Sequence, residues 1–157
     1  MKKGFILAGV LALIGALFAP FVFAPSDEQM IKDALNESIK AGREGRPGVV
    51  MEYVSRSFKY NDEEVNDRMS MANYIKSAKP EVTVLDPRPT IQGNTATIVS
   101  AVDVNLAIGP VDFPVHLDHA EITFAKETGT KFLIFPSPTW RITNIKAEAI
   151  DLSQLEK

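Results

Sequence analysis

An alternation of apolar and polar residues dominates the C-terminal half of the chain. From Ala96 to Ile108 the even-numbered residues are apolar or small, whereas Thr95, Thr97, Asp103 and Asn105 lie at odd positions, which predicts a long half-buried strand. Downstream, apolar residues occupy odd positions at 113, 115 and 117 and even positions at 122 and 124. A β-bulge near residues 118–120 would reconcile the two phases and bend the sheet.

Helical spacing replaces this alternation before Pro80. Ser26 and Gln29 have the spacing of a capping box, and the apolar residues that follow recur at helical intervals as far as Gly42 or Gly45. Pro47 is placed to start a second helix, which we expect to bury Val50, Tyr53 and Val54. Asn61 or Asp62 can cap a third helix that ends at Pro80. The predicted class is therefore α+β, with three helices packed on a curved antiparallel sheet.

Residues 4–25 contain no charged side chain and are long enough to span a bilayer as a helix. Lys2 and Lys3 precede this segment, and the next charged residue is Asp27. The positive-inside rule then places the N-terminus in the cytoplasm and the rest of the chain outside it. We expect a single-pass protein of the inner or plasma membrane, in contact with lipid through residues 4–25, with a periplasmic domain if the cell is Gram-negative.

A cleaved signal peptide is the alternative for the same segment. The best small residue for cleavage is Ala24, but Pro25 would then follow the cut, where proline is poorly tolerated. The apolar run is also longer than a usual signal core. The predicted organisation is a transmembrane anchor or uncleaved signal at 1–25, a domain at 26–150 and a polar tail at 151–157.

Composition narrows the classes of function. The chain has no cysteine, which excludes disulfides, thiolate metal sites and a cysteine nucleophile. Its net charge is −3, and without Lys2 and Lys3 there are 15 basic and 20 acidic residues, or about −5. An acidic domain lacks the electrostatic footprint of a nucleic-acid-binding protein. Neither a cofactor motif nor a metal-ligand cluster is present in the sequence, so we expect no cofactor.

Two segments resemble the NTF2-like superfamily of cone-shaped α+β domains. Residues 50–60, Val-Met-Glu-Tyr-Val-Ser-Arg-Ser-Phe-Lys-Tyr, are similar to that family's second helix and its exit. Residues 120–126 and 139–145 are similar to its final hairpin. The resemblance covers about residues 27–148, and it departs at 131–138, a stretch longer than the tight hairpin expected there. It implies a sheet and helices that close around a pocket, in a superfamily that contains isomerases, dehydratases and non-catalytic binding domains.

Asp103, His116 and Asp118 are the candidates for chemistry. His116 and Asp118 are two residues apart and share a strand face, so the carboxylate can orient the imidazole as a general base. Enzymes that the chain resembles often use a strand Asp, and Asp103 lies in the polar phase of its strand. However, Val115 and Leu117 are the apolar neighbours, so we expect these side chains to point away from the core, towards solvent or another subunit.

The run Phe132-Leu133-Ile134-Phe135 lies between turns and has two interpretations. It is either a buried strand or an exposed apolar lip that contacts a partner protein or the membrane surface. The leading functional hypothesis is a membrane-anchored domain that binds a protein partner or a second copy, as an accessory or scaffold subunit of a membrane complex. The alternative is a small-molecule-binding protein or an isomerase or dehydratase that uses the cone pocket.

Overall fold

The computed structural model describes residues 25–108, 111–131 and 135–148, and these form three helices and a seven-stranded sheet. The helices are α1 (Asp27–Arg43), α2 (Pro47–Tyr53) and α3 (Arg68–Ala78). The strands are β1 (Val54–Tyr60), β2 (Glu63–Glu64), β3 (Glu81–Val84), β4 (Thr90–Gln92), β5 (Thr95–Ile108), β6 (Val111–Lys131) and β7 (Phe135–Ala147). The predicted α+β class is confirmed, although two short strands lie between α2 and α3.

The third helix begins later than the sequence analysis predicts. Asn61 and Asp62 have positive φ angles of 50° and 67° and form the two-residue turn between β1 and β2, not a helix cap. This backbone conformation is one that Asn and Asp tolerate well, and it suits the twist of a hairpin. Asp67 caps α3 instead, because its carboxylate accepts a hydrogen bond from the Ser70 N–H at 2.9 Å. Val54, expected in the second helix, is the first residue of β1.

The sheet is mixed, which corrects the prediction that it is antiparallel. Its order is β2-β1-β7-β6-β5-β3, and β4 pairs with β5 outside this path. The pairing of β1 with β7 is parallel, with Val54 opposite Ile142, and the other pairings are antiparallel. A parallel neighbour requires a long connection, and here the connection includes α3 and five further strands.

The predicted bulge is present in β6. Ser100 of β5 pairs with Ala120, whereas Val102 pairs with Leu117, so one residue of β5 faces Asp118 and His119 together. The extra residue switches the inward-facing positions of β6 from odd to even. Leu117 and Ala120 are therefore buried on the same side of the sheet.

The hairpin of β6 and β7 is more regular than its prolines indicate. The two strands pair without a break from Phe124–Ile142 to Lys131–Phe135, so Pro136 and Pro138 lie inside β7 and do not interrupt it. These prolines are two residues apart, so their missing N–H groups face the same edge. Among the described pairings, β1 pairs with β7 between Ile142 and Ile145 and does not extend to these prolines. An unpaired strand edge tolerates proline. The expected departure at 131–138 is thus absent from the described part of the hairpin, and residues 132–134 lie outside it.

The core fills the space between α1 and the inner face of the sheet. Its main cluster has ten buried residues, of which Ile31 and Leu35 lie on α1 and eight lie on β1, β5, β6 and β7. The largest buried side chains are Trp140 and Phe124. A smaller cluster of Val102, Leu117 and Ala120 continues this layer beyond the bulge. The even-numbered positions of β5 from 96 to 102 all face this layer, as their alternation predicts.

The first turn of α1 is attached to the sheet by polar contacts. Ser26 caps the helix, and its Oγ accepts a hydrogen bond from the Gln29 N–H at 3.2 Å. The Asp27 carboxylate accepts hydrogen bonds from Lys126 Nζ at 2.7 Å and Trp140 Nε1 at 3.0 Å. In the part of the chain that the structure describes, none of the helices has the length and apolar character needed to cross a bilayer. The predicted anchor at residues 4–25 lies, except for its last residue, outside that part.

Candidate functional site

The inner face of the sheet and the three helices border a partly open cavity of about 250 Å³. It corresponds to the cone pocket that the resemblance implies. Its walls come from all three helices, from Pro80 and from strands β1, β3, β6 and β7. The side chains that surround it are Leu35, Ser38, Ile39, Val50, Val54, Phe58, Met71, Ile75, Val82, Val84, Ile122, Ile142 and Ile145.

This cavity is apolar. Among the described residues that line it, Ser38 has the one side-chain hydroxyl, and its Oγ already donates a hydrogen bond to the Leu35 carbonyl at 2.8 Å. None of these lining side chains is titratable, so the described wall contains neither a general base nor a general acid. The cavity is suited to neutral apolar ligands, since an empty apolar cavity stays dry and takes up such molecules.

Asp103, His116 and Asp118 meet on the opposite, outer face of the sheet. Asp103 and His116 are register partners on β5 and β6, and the Asp103 Oδ1 to His116 Nδ1 distance is 2.5 Å. Asp118 Oδ1 lies 3.4 Å from His116 Nε2 on the other side of the ring. Both members of the closer pair have about half of the side chain exposed, at 53% each. The sequence-based expectation that these residues face away from the core is confirmed by this placement.

The two carboxylates hold His116 in its charged form over a wider pH range. The hydrogen bond that the ring donates to Asp103 raises the pKa of the imidazole, and Asp118 adds to the effect. Because the carboxylates bind opposite ring nitrogens, they do not converge on a common point that a metal ion can occupy. Among the described residues no group of three His, Asp or Glu side chains has the geometry of a metal site. The trio is well arranged to fix a charge on the surface, and an open groove of about 250 Å³, lined by residues of β3, β5 and β6, adjoins Asp103 and His116.

A second polar cluster joins β1 to the hairpin of β6 and β7. The Ser55 Oγ donates a hydrogen bond to Glu127 Oε1 at 2.6 Å, and Arg141 Nη1 donates to Glu127 Oε2 at 3.0 Å. Arg68 Nη1 donates to the Ser55 carbonyl at 2.7 Å. Each carboxylate oxygen therefore already has a partner, and the cluster fixes three strands relative to α3. Sequence reasoning missed it, since Ser55 and Glu127 are 72 positions apart.

Another surface feature that sequence reasoning missed is apolar. Leu85 follows β3, and its N–H donates to the Ala101 carbonyl at 3.1 Å, which continues the pairing with β5 on the outer face. Leu85 is 55% exposed and Val99 of β5 is 50% exposed. The odd position of Val99 within an alternating strand was the available signal. Of the predicted contact residues, Phe135 begins β7, and Phe132, Leu133 and Ile134 lie outside the described residues.

Comparison with solved structures identifies the fold as NTF2-like. The S. rosetta CaMKII hub is 12% identical, with a TM-score of 0.58, over 79% of this chain and 97% of the hub. An NTF2-like superfamily protein from Salmonella enterica is 14% identical, with a TM-score of 0.54, over 78% and 89% of the two chains. A provisionally assigned ketosteroid isomerase from Shewanella frigidimarina is 12% identical, with a TM-score of 0.54, over 76% and 94%.

Sequence comparison adds no relative to these. No protein-family model and no curated protein sequence matches the chain. The structural likeness nevertheless confirms the NTF2-like fold expected from residues 50–60 and from the final hairpin. At these identities the likeness concerns the fold and not the function.

Proposed function

We propose that the chain is a single-pass membrane protein whose NTF2-like domain binds a protein partner on the outer side of the membrane. The proposal depends above all on the charge-free segment at residues 4–25, which follows two lysines. The Ser26 cap starts α1 immediately after this segment, so almost no linker separates the two. Solved structures of similar fold include a CaMKII hub, which agrees with a role in association, as well as a provisionally assigned ketosteroid isomerase.

The direction of α1 supports a close approach of one end of the domain to the membrane. Asp27, at the start of α1, contacts Lys126 in the second half of β6. Gly42, near the end of α1, lies beside Pro80, and the next residue, Glu81, pairs with Asn105. Asn105 in turn pairs with residue 114 of β6, so α1 runs opposite to β6. The N-terminus of α1 therefore lies at the end of the domain towards which the β6–β7 hairpin extends. On this ground we propose that the lip of residues 132–135 contacts the membrane surface.

The absence of cysteine allows a direct test of topology. The Ser77→Cys variant carries a single thiol on an exposed position of α3. In intact cells it should react with a membrane-impermeant maleimide as completely as it does after lysis. Protection in intact cells would place the domain in the cytoplasm and contradict the proposal.

The membrane contact of the lip is tested with fluorescence. A polarity-sensitive dye on Leu133→Cys, in the full chain inserted in nanodiscs, should be quenched by brominated lipids, whereas the same dye on Ser77→Cys should not. Equal responses at the two positions would remove the lip from the membrane surface. Partner binding is tested separately, by mild detergent extraction followed by measurement of the particle mass. A monomer of this chain alone would contradict the proposed function.

The apolar cavity favours a second function, the binding of a neutral apolar molecule without catalysis. A wall of branched aliphatic side chains with one satisfied hydroxyl binds hydrocarbon groups and disfavours charged ones. N-phenyl-1-naphthylamine should bind with enhanced fluorescence and be displaced by decanol but much less by decanoate. Val84→Phe fills the cavity and should abolish binding, while Val99→Phe, on the outer face, is the matched control. Equal binding by the two folded variants would exclude the cavity as the site.

A further inference from the structure

The outer face of the sheet has the composition of a docking surface. At its centre lie Leu85, Val99 and Ala101, hereafter the outer patch. Leu85 lies opposite Ala101, and Val99 is the next outward-facing residue of β5. None of the three helices covers this face, since the buried side chains of β5 and β6 all point to the other side. An apolar centre within a polar rim is the usual organisation of a protein interface.

The rim of the outer patch is acidic. Glu121 is the register partner of Val99. Asp103 is the register partner of Thr83, which is the next outward-facing residue of β3 before Leu85. Glu81 lies further along the same face of β3, and Asp118 lies in the bulge opposite Ala101. The four rim carboxylates are Glu81, Asp103, Asp118 and Glu121.

Among the described residues, few cations offset these carboxylates. His116 lies between Asp103 and Asp118. Lys146, the register partner of Glu121, is paired with Asp62 at 3.0 Å and is also attracted by Glu121. Face-to-face pairing of two copies would bring the acidic rims together, which is unfavourable. Anionic lipid headgroups would be repelled as well. The charge of the rim is complementary to lysine and arginine side chains.

We propose that the outer patch docks a protein partner whose contact surface has apolar side chains flanked by lysine or arginine. This inference rests on the proposed protein-binding function and specifies where the partner binds. Leu85 and Val99 supply the apolar contacts, and the edge is formed by the exposed carboxylate of Asp118 and the half-buried one of Glu121. The opposite, helix-covered face has a different chemistry, because its apolar side chains are used in the core.

Site-specific photocrosslinking in native membranes tests this directly. The full chain carries benzoylphenylalanine at Val99, or at Met69 as the control, since Met69 is 76% exposed on α3, away from the sheet. We expect a protein adduct from position 99 that exceeds that from position 69 by roughly tenfold. Mass spectrometry should map the adduct to a segment of another protein with apolar residues and a net positive charge. Replacing Asp118 and Glu121 together by Asn and Gln should weaken the adduct about three- to tenfold.

Several outcomes would overturn the inference. An adduct that maps to a second copy of this chain would identify self-association, and a lipid adduct would identify a membrane contact. A partner segment without basic residues, or an adduct unaffected by the double substitution, would contradict the charge argument. An adduct at position 69 but not at 99 would refute the outer patch while leaving the proposed protein-binding function intact. A protein extracted alone and without any adduct would refute both.

Discussion

The two faces of the β5–β6 ribbon differ in what they can bind, although alternate residues of the same strands form both. On the inner face, Ile98 and Phe124 have no exposed surface, and the remaining space is an apolar cavity. On the outer face, the adjacent residue Val99 is half exposed within an acidic rim. The inner face therefore determines stability and suits neutral small molecules, whereas the outer face tolerates change and suits a charged protein partner. Because the titratable trio and the apolar cavity lie on opposite faces, the trio does not contact a ligand in that cavity.

The largest effect is expected from changing which residues belong to which face. Deleting Glu121 from β6 moves the residues on one side of the deletion to the opposite face and should abolish cooperative unfolding. Deleting His119 removes the bulge but keeps Leu117 and Ala120 inward, because one residue then faces Ala101. We expect that variant to remain folded. Thermal unfolding followed by circular dichroism distinguishes them, and loss of the fold in both would mean that the bulge itself is required.

Truncation of a single side chain should have a smaller but still unequal effect on the two faces. Phe124→Ala should lower the free energy of unfolding by about 3–5 kcal/mol, since it leaves a void in the core. Val99→Ala should change it by less than about 0.5 kcal/mol. Urea denaturation of the two variants measures this, and similar values would show that the outer face is covered in solution.

Loss of the contact between α1 and the sheet should lower the free energy of unfolding by less than the Phe124→Ala substitution. Asp27→Asn removes the ion pair with Lys126 and should cost about 1 kcal/mol at neutral pH, a modest amount because the carboxylate is about one-third exposed. The Lys126 and Trp140 hydrogen bonds lower the pKa of Asp27. Its contribution is thus present above the unfolded-state pKa and is lost as the pH falls through the lower folded-state pKa. Urea denaturation at a series of pH values should show the wild type and the variant converging in acid.

The smallest effect is expected from His116 on the outer face. Its pKa is raised above 6.5, first by the Asp103 hydrogen bond, so the stabilisation is complete below about pH 6.5 and is lost as the pH rises through the folded-state pKa. NMR titration of the ring should give a midpoint above 6.5 in the wild type and a lower one in Asp103→Asn. An unchanged midpoint in that variant would show that the pair does not persist in solution.

Local periodicity was enough to predict the elements whose evidence is local. The alternation around Ile98, the shift of phase at the bulge and the outward direction of His116 all follow from residues close in sequence. Asn61 and Asp62 were misassigned because both helix caps and hairpin turns favour these residues. The parallel pairing of β1 was missed because Val54 meets Ile142, 88 positions later, and no local pattern specifies such a partner.

The candidate sites were also predictable only where the evidence for them is local in the sequence. The sequence analysis placed Asp103 and His116 on the outer face, but their direct contact depends on the register of the β5–β6 hairpin. The cavity and its lack of titratable groups depend on how the helices pack, which the apolar stripes alone do not fix. The sequence analysis did not single out Leu85, and only its pairing with Ala101 shows that it lies beside Val99.

The parallel pairing of β1 with β7 also constrains the order of events during synthesis. The buried side of β1, and the contact of Asp27 with Trp140, cannot form until the last strand has emerged from the ribosome. The apolar faces of helices α1 to α3 therefore stay exposed during most of the translation of the domain. A nascent chain of this protein would then depend on chaperones until β7 is complete, and folding would end as a single late step.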